Sequence, residues 1–126
     1  MQAKEQLERI RTLVLEARKL QKQREQLVKD ESSTEEIDAR IAAIKCEYNE
    51  IYSRLTPLIQ KMNIYEFQKI LFMFYYEAAP MKDIVTTVLE LPPNSTSISL
   101  AQSRKRMSIN YLQLLMGNPK KQEEKQ

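Results

Sequence analysis

The sequence predicts an all-α protein: a long antiparallel, coiled-coil-like helical hairpin followed by a three-helix unit of helix-turn-helix type. Three observations predict it. Apolar residues recur at three- and four-residue steps, and no stretch alternates with period two for long. The helix breakers are few, one Gly and five Pro, and they fall between the periodic runs or near their ends. Apolar residues make up 42% and charged residues 29%, the balance of a folded helical chain rather than a disordered one.

The first helix is expected over residues 4–29. Leu7, Ile10, Leu13, Val14, Ala17, Leu20, Leu27 and Val28 form a narrow apolar stripe on it, with Arg, Lys, Glu and Gln elsewhere. Ser33 followed by Glu36 has capping-box spacing and predicts the start of the second helix. That helix carries the seam Ile37, Ile41, Ile44, Tyr48, Ile51 and Leu55, whose steps of four and three suit side-by-side helix packing. The seam fits an intramolecular hairpin or a dimerising coiled coil, and both can hold at once. Pro57 should bend or end helix two. Asn63 and Glu66 repeat the capping spacing and open helix three, "IYEFQKILFMFYYEA". Its aromatic residues Phe67, Phe72, Phe74, Tyr75 and Tyr76 could stack bases, but the better reading is core. "MKDIVTTVLEL" predicts a short fourth helix stopped by Pro92 and Pro93, with Asn94, Ser95 or Ser97 capping the fifth. Helix five is expected over 97–116, ending at Gly117 with Pro119 beyond. In domain terms, residues 1–62 form the hairpin and a dimerisation element, 63–117 the helix-turn-helix-like unit, and 118–126 a polar tail.

Composition excludes much chemistry. There is no His, so His acid–base catalysis and His metal sites are absent. One Cys, Cys46, builds neither a disulfide nor a zinc site. One Gly excludes glycine-rich phosphate loops. We therefore expect no enzyme, metal or cofactor, although sites made of carboxylates alone stay open. The lone thiol and the lack of an apolar leader point to a cytoplasmic protein, and no apolar run nears the ~20 residues that span a bilayer.

Charge is informative by position. The net charge is only +3, and residues 1–62 hold 12 basic against 11 acidic side chains. Residues 91–122 carry Arg104, Lys105, Arg106, Lys120 and Lys121 with no acid. Three consecutive residues spread over about 200° of a helix, so one packed face cannot take the whole Arg104–Arg106 triplet. The stretch 102–106 is expected to be the most exposed part of helix five, with Ile98, Ala101, Ile109, Leu112, Leu115 and Met116 inward. An isolated triplet can be a plain solvated face. Here it follows a short helix and a break, the layout of a helix-turn-helix whose second helix enters the major groove. On that reading Ser99, Gln102, Ser103 and Arg106 reach base edges, while Arg104, Lys105 and Lys82 meet phosphates. Ser95, Thr96 and Ser97 offer a further phosphate contact at the helix start. The break "LPPNSTS" is longer than the usual turn and lacks glycine.

The stretches "FQKILFMFYYEAAPMKDIVTTVLEL" (67–91) and "SLAQSRKRMSINYLQLL" (99–115) resemble small phage transcriptional regulators of the ArpU and RinA kind. Those proteins carry a C-terminal part similar to the promoter-reading domain of sigma factors. The resemblance implies sequence-specific binding of double-stranded DNA by a phage or prophage regulator, with the base-contacting positions on Ser99, Gln102, Ser103 and Arg106. A homodimer is expected, with RNA polymerase a further candidate partner and no membrane. The alternatives are a helical adaptor that grips a protein partner through its hairpin, or a packaging protein like a small terminase subunit.

Overall fold

A computed structural model of the protein describes residues 2–117; the expected tail over 118–126 lies outside them. The described chain is all-α. It contains α1 (Ala3–Lys29), α2 (Glu35–Gln60), α3 (Tyr65–Leu71) continued by a π-helical turn (Phe72–Tyr76), α4 (Met81–Thr87) and α5 (Ser95–Met116).

Helices α1 and α2 form an antiparallel hairpin within the chain. Two exposed ion pairs mark its register: Arg9 with Glu47 near the base, and Arg24 with Asp38 at 2.7 Å towards the tip. Of the predicted seam, Ile51 and Leu55 are buried, whereas Ile37, Ile41, Ile44 and Tyr48 are only half-buried. The expected Ser33–Glu36 box is replaced. Thr34 precedes the helix without a side-chain cap, and the Glu35 amide donates to Ser33 Oγ at 3.3 Å. Nor does Pro57 end α2, which continues to Gln60. Proline forfeits one backbone bond near the helix end, and burial of Leu55, Thr56 and Ile59 holds the last turn in place.

Asn63 does not cap α3 either. Ile64 holds that position, and Asn63 Oδ1 accepts from the Tyr111 hydroxyl of α5 at 2.7 Å. The Glu77 amide donates to Phe72 O at 3.0 Å, the five-residue closure of a π turn, and Ala78 ends it with φ 53°. Helix α4 stops at Thr87, well short of Pro92. Glu90, at φ 56°, turns the chain, and the Leu91 amide returns to Val85 O. A left-handed residue therefore ends α4, and the two prolines only rigidify the approach to α5.

Helix α5 starts two residues earlier than expected because Asn94 supplies a complete capping box. Its Oδ1 accepts from the Ser97 amide and its own amide donates to Ser97 Oγ, both at 2.9 Å. Gly117, at φ 81°, closes the far end as predicted.

One core joins residues 1–62 to 63–117. Ala3, Leu7, Ile10 and Leu13 of α1 and Ile51, Leu55 and Ile59 of α2 meet Phe67, Leu71, Tyr75, Ile109 and Leu112. A smaller core of Ile70, Ile84, Val85 and Ala101 ties α3, α4 and α5 together. The aromatic run of α3 is core, as expected: Tyr75 is buried and Tyr76 shares its hydroxyl with Thr56 at 3.2 Å. Helix α5 thus enters both cores. It also receives α1 directly, since Gln113 Oε1 accepts from the Ala3 amide at 2.7 Å and satisfies an otherwise free N-terminal donor. Ser108 is tolerated inside because its hydroxyl donates back to Arg104 O at 2.7 Å. Leu115, expected inward, is 37% exposed.

Candidate nucleic-acid interface

Anchored on two cores, α5 turns one side to solvent. Ser99, Gln102 and Arg106 are exposed and Ser103 is half-buried. Spaced at three and four residues, the four stand in one row over about 10 Å of helix. None of the four side chains has a hydrogen-bond or ion-pair partner among the described residues. Ser95 and Thr96 are exposed at the start of α5, and Lys82 is exposed on α4.

The rest of the predicted site is rearranged. Ser97 is buried, and its hydroxyl is used by the Asn94 amide and by Pro92 O at 2.6 Å, so it is a cap and not a phosphate contact. The triplet also does not project as a unit. Arg104 lies 3.5 Å from Glu66 of α3 and is half-buried. Lys105 folds inward, its ammonium 4.3 Å from the centre of the Phe74 ring. Only Arg106 is fully outward, so the stretch 102–106 is exposed at its two ends and half-buried between them. The physical reason is the wheel. Positions 104 and 105 flank the side defined by Ala101, Ser108 and Leu112, and their long stems are drawn over the neighbouring helices.

Sequence reasoning missed what surrounds Lys105. The Arg11 guanidinium sits 4.1 Å from the same Phe74 ring and donates to Phe74 O at 2.7 Å and to Ala79 O at 3.4 Å. Two cations therefore share one aromatic ring, each drawn to its negative π cloud. Burial pushes the Lys105 ammonium below the usual lysine range, and Arg11, Lys4 and Arg106 push it the same way, while Glu8 acts against them. Beside this cluster opens a cleft of about 400 Å³ lined by Lys4, Tyr75, Gln102, Lys105, Arg106, Ile109 and Asn110. Lys4 and Arg11 gave no local signal, being two cations among the many on a charged helix. Only the packing of α1 across α5 makes them neighbours of the triplet.

Among the described residues no group of His, Cys, Asp and Glu is placed to hold a metal, and no helix is long and apolar enough to cross a membrane. Compared with known proteins, the chain matches no family model, no curated protein and no solved structure.

Proposed function

We propose that the protein is a sequence-specific DNA-binding regulator that reads the major groove with α5, as the resemblance to phage regulators implies. The observation that carries this reading is the unpartnered row Ser99, Gln102, Ser103 and Arg106 on a helix held by two cores. Such a row is rigid, polar and basic, and its side chains are of the types that bond base edges. Gln102 suits adenine and Arg106 guanine, while Ser99 and Ser103 accept either sign of partner. Lys82, Ser95 and Thr96 are exposed, and on this reading they meet phosphates. Arg104 and Lys105 contribute field more than contact, since each is engaged within the chain. A cytoplasmic homodimer belongs to this reading. Its contact surface would be the half-buried seam of Ile37, Ile41 and Ile44, with RNA polymerase as a further partner.

The test is fluorescence anisotropy on duplexes selected from a random pool, at two salt concentrations. With Lys82 the one cationic phosphate contact and Arg104 and Lys105 acting through their field, the log–log salt slope should lie between about −1 and −3 for one subunit and be about twice that for a dimer. Because Gln102 and Arg106 are exposed, the pair Gln102→Ala and Arg106→Gln should spare the fold and weaken the selected duplex by ~10–100-fold. Selection that yields no preferred duplex, or affinity indifferent to that pair, would falsify the reading.

An adaptor that grips its partner through α5, and not through the hairpin as expected above, has one observation of its own. Leu100, Met107 and Leu114 are 39%, 49% and 80% exposed at seven-residue spacing, an apolar edge beside the polar row. Changing Met107 and Leu114 to Gln, which adds no charge, would abolish capture of a protein partner on that reading, and would leave duplex affinity within about threefold on the first.

A further inference from the structure

We propose that the cleft between the first turn of α1 and the middle of α5 is a phosphate-binding site, with Lys4, Lys105 and Arg106 as its cations and Gln102 and Asn110 as its amide donors. The argument begins with charge. Three of the seven lining residues are basic and none is acidic. Arg11 adds a fourth cation behind Lys105, and Glu8, the acid that acts on Lys105, does not line the cleft. The cleft lined by Glu5, Arg9, Glu47, Glu50 and Arg54 on the other side of α1 makes the contrast. There three carboxylates face two guanidinium groups, and Arg9 is paired with Glu47. That cleft neutralises itself; the one on α5 does not.

Like charges gathered in a half-buried place repel, and an anion between them relieves the repulsion. The inner part of the cluster does not disperse because Arg11, Lys105 and the backbone that carries Lys4 are held. Arg11 is fixed by two backbone carbonyls, Lys105 by the Phe74 ring, and the start of α1 by the bond from Ala3 to Gln113. A preorganised cation set next to amide side chains suits a group with several acceptor oxygens and at least one full negative charge, which is phosphate chemistry. Tyr75 and Ile109 give the cleft an apolar floor. The phosphate can belong to a small phosphorylated ligand or to a nucleic-acid backbone lying along α5. The site does not depend on the DNA reading.

The experiment is calorimetric titration of the whole protein with inorganic pyrophosphate, at ionic strength matched with sodium chloride, followed by competition with the selected duplex. Pyrophosphate should bind. Lys4→Gln and Arg106→Gln, both at exposed positions, should each weaken it about tenfold. Lys22→Gln, on the same α1 but far from the cleft, should leave affinity unchanged. Because Gln102 and Arg106 belong to both the cleft and the base-reading row, pyrophosphate that displaces the duplex keeps both readings, and pyrophosphate that binds beside it keeps the site for a free phosphorylated ligand and removes Gln102 and Arg106 from the base contacts. Pyrophosphate binding by a protein that holds no duplex keeps the site and removes the DNA reading. Absence of pyrophosphate binding, or binding that neither Lys4→Gln nor Arg106→Gln weakens, overturns the proposal.

Discussion

The base and the tip of the hairpin are made of the same two helices and the same residue types, yet they are buried to different depths. At the base, Leu7, Ile10, Leu13, Leu55 and Ile59 are all but sealed from solvent. At the tip, Leu27, Ile37, Ile41 and Ile44 are half-buried and Val28 is 54% exposed. The seam continues unbroken between them. What changes is the third layer: α3, the π turn and α5 cover the base, and among the described residues nothing covers the tip. Two helices can align by their own pattern, but full burial needs a further element. The base is therefore the folding unit, and the tip is an extension held by pairing alone.

The largest expected effect separates the two regions by substitution. Leu55→Ala should cost about 2–5 kcal/mol in urea unfolding, the usual range for a buried aliphatic truncation. Ile41→Ala, removing a side chain already in partial contact with water, should cost about 1 kcal/mol or less. Equal costs would break the comparison and show that another chain covers the tip in solution. Sedimentation of both variants then says whether that chain is a second copy.

This contrast also marks what the sequence made legible. Helical periodicity gave the class, the hairpin and the stop at Gly117, because each depends on residues close together in the chain. The seam positions were readable too, but their depth was not. Ile41 and Leu55 look alike locally and differ only in what packs on them later. Asn94 caps α5 as expected, but the boxes expected at Ser33 and Asn63 did not form. Asn63 had the spacing of a cap, and a hydroxyl 48 residues away, that of Tyr111, claimed its side chain. The candidate site was half legible. The outward row on α5 followed from helical spacing once the inner face was assigned. That Arg104 would turn to Glu66, Lys105 to Phe74, and Lys4 join the cleft depended on long-range packing that no local pattern encodes.

A second, smaller effect reports on the base alone, since no tyrosine lies between residues 18 and 47. Burial pushes both Tyr75 and Tyr76 up to about 12, with the bond from Thr56 working against the shift at Tyr76. A phenol whose folded pKa is raised leaves stability intact below its unfolded value near 10. That stability is then lost as pH climbs towards the folded value, because the unfolded chain ionises first. The tyrosine contribution should therefore be flat to about pH 10 and fall between 10 and 12, by an amount on the order of 2 kcal/mol per ring. Tyr75→Phe should flatten part of that fall. Tyrosinate absorbance developing fully near pH 10, without unfolding, would place these rings in water and contradict the packed base.

The smallest effect tests the tip from its turn. Helix α1 closes in a Schellman arrangement: the Ser32 amide donates to Leu27 O at 2.9 Å and the Glu31 amide to Val28 O at 3.1 Å. The residue in the left-handed position is Glu31, at φ 57°, where glycine carries no Cβ clash. Glu31→Gly should favour this turn by about 0.5–1 kcal/mol, after its extra freedom in the unfolded chain is subtracted. If tip and base open separately, the gain appears where the tip opens. Amide exchange over residues 27–41 should slow severalfold, while the base keeps its rates. If the midpoint of global unfolding rises by the full amount and base and tip amides slow together, the hairpin opens as one body and its tip is no mere extension.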